Sequence, residues 1–82
     1  MRTQIAINKI EKESEKAILV NFTVSWGEGG MKLKSIWVPK SACTVLREDL
    51  IECEDWFLRK IGEQNTWKGY RMYIENQFPQ NN

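Results

Sequence analysis

The sequence predicts an α+β fold: a small, twisted antiparallel β-sheet, open to curling into a barrel, with one short α-helix around residues 54–61. Three observations lead there. Ile18, Val20, Phe22, Val24 and Trp26 alternate with Ala17, Leu19, Asn21, Thr23 and Ser25. That strict period of two is the pattern of a strand with one face in a core. Gly27-Glu28-Gly29-Gly30 follows, a turn rich in the residue that accepts positive φ without steric cost, and beyond it a second alternating run extends to Val38. Finally, Glu54 and Asp55 open an apolar-periodic stretch that ends in Arg59 and Lys60, with Gly62 just beyond. Those charges complement a helix dipole, and the glycine suits a C-terminal cap.

The elements follow in order. Residues 4–10 hold Ile5, Ile7 and Ile10 among polar residues and read as a first strand. The charged run 11–16 is a short connection that makes strands one and two an antiparallel hairpin; a helical start is the competing reading, since these residues are good helix formers. Closing the glycine turn as a four-residue loop sets Trp26 opposite Met31, Val24 opposite Leu33, Phe22 opposite Ser35 and Val20 opposite Trp37. On this register Trp37 is a core ring, and Lys32 and Lys34 lie on the far face with Lys40. The base of the hairpin is apolar on both faces, and its tip on one. Pro39 cannot donate to a ladder and ends the strand or marks an edge.

Residues 41–53 admit two readings. One is a helix through Leu46, Leu50, Cys53, Phe57 and Ile61, capped by Ser41. The favored one is a hairpin that pairs residues 43–46 with 50–53 across Arg47-Glu48-Asp49 and makes Cys43 and Cys53 cross-strand neighbours. After a polar loop around Trp67, Tyr70, Met72 and Ile74 alternate as a last strand. A helix over 66–78 is the alternative, weakened by Gly69 at about 1 kcal/mol relative to Ala. Residues 1–78 are read as one domain and 79–82 as a frayed tail.

Composition excludes several function classes. The balance of 12 Lys and Arg against 11 Asp and Glu, net +1, is not that of a dedicated nucleic-acid binder, though it allows a local basic strip. No apolar run reaches the length of a membrane span, and the N-terminus lacks a signal-peptide core, so the expectation is a soluble, cytoplasmic protein. Histidine is absent, which removes the commonest general base and metal ligand together. The two cysteines form no Cys-x-x-Cys, and buried thiol packing outweighs a redox pair. Glu48, Asp49, Glu52, Glu54 and Asp55 cluster in sequence and are read as solvated surface and helix N-terminal charge rather than a cation site. The expectation is no catalytic residue, no metal and no cofactor.

Three segments stand in a recognisable order: Lys9-Ile10-Glu11-Lys12-Glu13-Ser14-Glu15-Lys16-Ala17-Ile18-Leu19-Val20, then Ile36-Trp37-Val38-Pro39-Lys40-Ser41, then Glu54-Asp55-Trp56-Phe57-Leu58-Arg59-Lys60-Ile61-Gly62. They resemble a group of short proteins of phages and bacterial mobile elements that carry an E-x-E-K-A-x-L-V strand, a W-x-P-K-S strand end and a tryptophan-led helix closing on glycine. The resemblance covers residues 9–62. Glu54 stands where a proline often opens that helix, and the segment after Asn65 has no counterpart. Such proteins are often neighbours of recombination and replication genes; the resemblance implies no catalytic residue.

Two functions remain. The first is a non-catalytic module that docks on a host or phage protein and modulates it, with the anchors Trp26 and Met31 at the hairpin tip and Trp67, Tyr70 and Arg71 in the C-terminal segment. The alternative is a single-stranded nucleic-acid-binding accessory protein of replication or recombination. For it, Lys32 and Lys34 and the interleaved bases and rings of residues 67–73 supply charge and stacking surface. Near-neutral net charge ranks the protein partner first. Trp56 is expected to pin the helix to the sheet with Phe57 and Ile61.

Overall fold

A computed structural model describes residues 1–27 and 29–79. Among them the strands are β1 (Arg2–Ala6), β2 (Lys9–Glu13), β3 (Ala17–Trp26), β4 (Lys32–Pro39), β5 (Cys43–Arg47), β6 (Leu50–Glu54), β7 (Met72–Ile74) and β8 (Gln77–Pro79). The helix α1 (Asp55–Gln64) lies between β6 and β7. The strands form two antiparallel sheets of four and no closed barrel: one in the order β5-β6-β1-β8, the other β2-β3-β4 with β7 also on β3. The α+β class read from the sequence is therefore correct, and its single sheet becomes two.

β3 carries the core. Val20, Phe22 and Val24 are fully buried and Ile18 nearly so, as the period of two requires. Ile5, Ile51 and Cys53 from the other sheet, Phe57 and Ile61 from α1, and Met72 and Ile74 from β7 join them in one cluster. One edge of β3 pairs with β4. The other is shared by β2, over residues 18–21, and β7, over residues 24–26. Between these two partners Asn8 N donates to Asn21 O (2.9 Å) and Glu75 N to Thr23 O (2.8 Å), which carries backbone bonding across the junction.

The hairpin register is one residue away from the expected one. Val24 pairs with Lys32, Phe22 with Lys34, Val20 with Ile36 and Leu19 with Trp37. The difference lies past the end of the ladder: β3 and β4 part company at Val24, so residues 25–31 make a wider connection than a four-residue loop, while Ser25 and Trp26 pair on the other edge of β3 with Tyr73 and Met72 of β7. Because side chains alternate, the slip exchanges the faces of β4. Trp37 is not a core ring: it lies on the outer face with Leu33, 49% exposed. Lys32 and Lys34 are on the core side.

Other expectations are refined. The first strand is two, β1 and β2, divided at Ile7-Asn8 and given to different sheets. The charged run 11–16 is strand to Glu13 and then a tight connection, not a helix. Residues 43–54 are the favored hairpin, with Cys43 opposite Cys53 and an irregularity between Val45 and Arg47. Residues 72–74 are strand rather than helix. Pro79, assigned to the tail, pairs with Thr3 in β8, and residues 80–82 lie outside the described residues.

α1 runs past Gly62, which is buried inside it rather than capping it. Asn65 does that work, its Nδ2 donating to Ile61 O at 2.8 Å. Gly62 has a different reason to be glycine: a Cβ there would come within 2.8 Å of Met72 O on β7. We predict that Gly62→Ala lowers the denaturant midpoint, even though Ala favors a helix interior by about 1 kcal/mol over Gly. A raised midpoint would show that α1 can move off β7 at no cost.

Candidate functional site

The parting of β3 and β4 opens a groove. Trp26 continues the core-side row of β3 but lies past the last β4 pair, and its indole N–H donates to Asn65 O at 2.5 Å, just beyond the end of α1. Lys32 and Lys34, on the same side of the hairpin, extend beyond the apolar core that Phe22 and Val24 fill. Between them and the segment Gln64-Asn65-Thr66-Trp67 lies an open groove of about 720 Å³. Among the described residues its floor and walls include two indole rings and two lysines and no acidic side chain.

Two tight turns hold the groove in shape. Trp67 and Tyr70 exchange backbone hydrogen bonds of 2.9 Å each way, and between them Lys68 (φ 51) and Gly69 (φ 83) both have positive φ. Positive φ at both central positions is the pattern of a type I′ turn. The turn carries Lys68 back over Trp67, its ammonium 4.7 Å from the ring centroid, a cation–π contact. Tyr70 packs on the other turn. Its ring covers Gly27, also at positive φ, so closely that a Cβ there would fall 2.4 Å from a ring carbon.

The expected site residues therefore divide. Trp26, Lys32, Lys34 and Trp67 meet at one groove, although they come from both sides of a glycine turn and from the far end of the chain. Among the described residues neither lysine has a carboxylate partner. Tyr70 supports the groove from behind. Met31, 70% exposed, is not paired with Trp26 and does not line the groove. Arg71 lies elsewhere, bonded to Glu63 at 2.9 Å beside a smaller cleft with Leu58 and Arg59. Lys40 is bound to Glu13 at 2.5 Å. Trp56 is half exposed while Phe57 and Ile61 are buried, so those two pin the helix. Asn65 escaped the sequence reading, and Lys68 entered it only among the interleaved bases and rings of residues 67–73. The Lys-Gly pair between two aromatics was the available signal for the turn.

The acidic residues disperse. Glu52 and Glu54 meet Arg2 at 3.7 and 2.6 Å, Asp55 accepts from the Thr3 hydroxyl at 2.7 Å, and Asp49 lies 3.6 Å from Arg47. Among the described residues no group of three or more His, Cys, Asp or Glu side chains converges to hold a metal ion. Among the described residues no helix is long and apolar enough to cross a membrane. No protein-family model, curated protein or solved structure matches the chain.

Cys43 and Cys53 are free, buried and directly opposite each other. Burial, with Cys43 alongside, pushes the Cys53 thiol up to about 12; burial also raises Cys43. Neither is a thiolate at neutral pH, the form a nucleophile needs. The folded state keeps the Cys53 proton to about pH 12 while an ordinary thiol releases it near 9.0. The stability linked to that proton is thus complete below the lower value and is lost as pH rises toward the higher. Denaturant midpoints measured upward from pH 9.0 should fall more steeply for the native chain than for Cys53→Ala, and equal slopes would contradict the burial effect.

Proposed function

We propose that this chain is a small non-catalytic binding module that takes single-stranded nucleic acid in the groove between β4 and the segment 64–67, as an accessory protein of a phage or mobile element in the cytoplasm. The observation that carries the reading is the convergence of Trp26, Trp67, Lys32 and Lys34 on one groove. Single strands are held by two kinds of contact, ammonium groups on phosphates and aromatic faces on bases. Both are present within one groove. A net charge of +1 does not oppose this, because binding depends on local charge.

Geometry adds a spacing argument. Lys32 and Lys34 are two residues apart on one face of β4, hence about 7 Å apart along the strand. A stretched single strand presents successive phosphates at a comparable interval. Trp67 leaves half its surface to solvent for a base, with Lys68 already held against its ring. Docking on a protein partner is the second reading, and a different face favors it: Leu33 and Trp37 are exposed together on the outer side of β4.

A titration with short oligonucleotides decides between them. We expect quenching of Trp fluorescence by single-stranded DNA at low salt, weaker for duplex. Lys32→Ala with Lys34→Ala should weaken binding and reduce the slope of log K against log salt by about 1.4, since each single-strand phosphate contact contributes about 0.7. Trp67→Ala should lose about 1–3 kcal/mol, the usual worth of one stacked base. Binding that is absent at low salt, or a salt slope unchanged by the double substitution, would refute the nucleic-acid reading.

A further inference from the structure

β4 has a free edge. It is bonded to β3 along one side, and among the described residues neither a strand nor a turn or loop hydrogen bond takes up the other. A row of unpaired N–H and C=O groups on an exposed strand is a template for another strand. The side chains along this edge sort cleanly by face. Leu33, Ser35 and Trp37 lie on the outer face, with Leu33 67% and Trp37 49% exposed; Lys32, Lys34, Ile36 and Val38 lie on the core side.

We propose that a second copy of this chain occupies that edge, the two β4 strands pairing antiparallel about a two-fold axis at Ser35. The strand is self-complementary in that register. Leu33 of one copy lies opposite Trp37 of the other, twice over, so the two exposed apolar residues cover each other across the strands. On the core side Lys34 faces Ile36 and Lys32 faces Val38. Charge and apolar contact select this register over its neighbours. Moving the axis back to Lys34 sets that lysine against its own copy, and moving it forward to Ile36 parts Leu33 from Trp37 and carries Lys32 past Pro39, the end of the strand. Like charges directly opposite are destabilising. Only the Ser35 axis both separates the lysines and joins the apolar pair, and it keeps the faces of the two sheets aligned.

The pairing has a consequence that rests on the nucleic-acid reading. With the faces aligned, both grooves open on the same side of a continuous sheet. Lys32 and Lys34 of one copy are followed along the strand axis by Lys34 and Lys32 of the other, each step again two residues, about 7 Å. Two short sites become one basic row with a pair of indoles at each end. Joining the sites in one assembly raises the effective concentration of the second for any strand bound at the first.

Sedimentation equilibrium of the full chain tests the pairing directly. We expect twice the chain mass of 9.7 kDa for the native protein and a single chain mass for Trp37→Lys. Register is read by cross-linking. Ser35→Cys lies on the axis and should form an inter-chain disulfide under mild oxidation by oxidised glutathione, whereas Leu33→Cys, four residues from its own copy, should not. Cys43 and Cys53 are buried and serve as the unlinked background. A native mass of 9.7 kDa up to millimolar concentration overturns the proposal, as does Leu33→Cys linking as fast as Ser35→Cys. A dimer with the expected cross-link that binds no oligonucleotide supports the pairing and removes only the basic row's role.

Discussion

The division of β3 between three partners is the constraint on which the rest depends. A strand has two edges, and every buried N–H and C=O along them needs a partner. Here β4 takes one edge as far as Val24, and β2 and β7 share the other. The strand thus outruns β4 by two residues and is carried to its end by β7. That arrangement draws the C-terminal segment into the core through Met72 and Ile74, and it leaves the tip of β4 unsupported on its core side. The fold is completed along one edge of β3, and the groove opens where the other edge loses β4.

Trp26 sits where those two outcomes meet. Its indole N–H is held by the carbonyl of Asn65, whose own amide caps α1, so one short chain of hydrogen bonds links the end of β3 to the end of the helix. A domain of this size buries only about 60–65% of its unfolded surface, and anchors of this kind matter more than they would in a larger core. The ring is also part of the groove wall. Trp67 is freer. It reaches the groove on a two-residue turn and leaves half its surface to solvent, which suits it to stacking. The two tryptophans of one groove therefore differ in how much of each is already committed to structure.

The outer face of β4 raises a separate physical question. Lysines on an edge strand protect it from indiscriminate pairing, and Pro39 blocks extension at one end. Yet Leu33 and Trp37 remain exposed on the opposite face of the same strand. Such an edge rejects most strands by charge and accepts one that offsets the lysines while covering the apolar pair. Selective pairing and edge protection are then the same device seen from two sides.

What the sequence by itself determined was local. The period of two in residues 17–26 set which side chains of β3 are buried, and the Cys43–Cys53 hairpin, the helix start and the strand at Met72–Ile74 were legible from alternation and turn residues. The candidate groove was legible as residue types, since Trp26, Lys32, Lys34 and Trp67 stood out before their positions were known. Only the tertiary structure decided how these pieces face one another. Alternation on β4 is compatible with either face being inward, because Leu33, Trp37, Ile36 and Val38 put apolar residues on both. The glycine turn fixes no loop length, so the register is settled by packing. A slip of one residue turned Trp37 outward, turned Lys32 and Lys34 to the core side, and brought them to one groove with Asn65 and Trp67, more than thirty positions away, which no local pattern encodes.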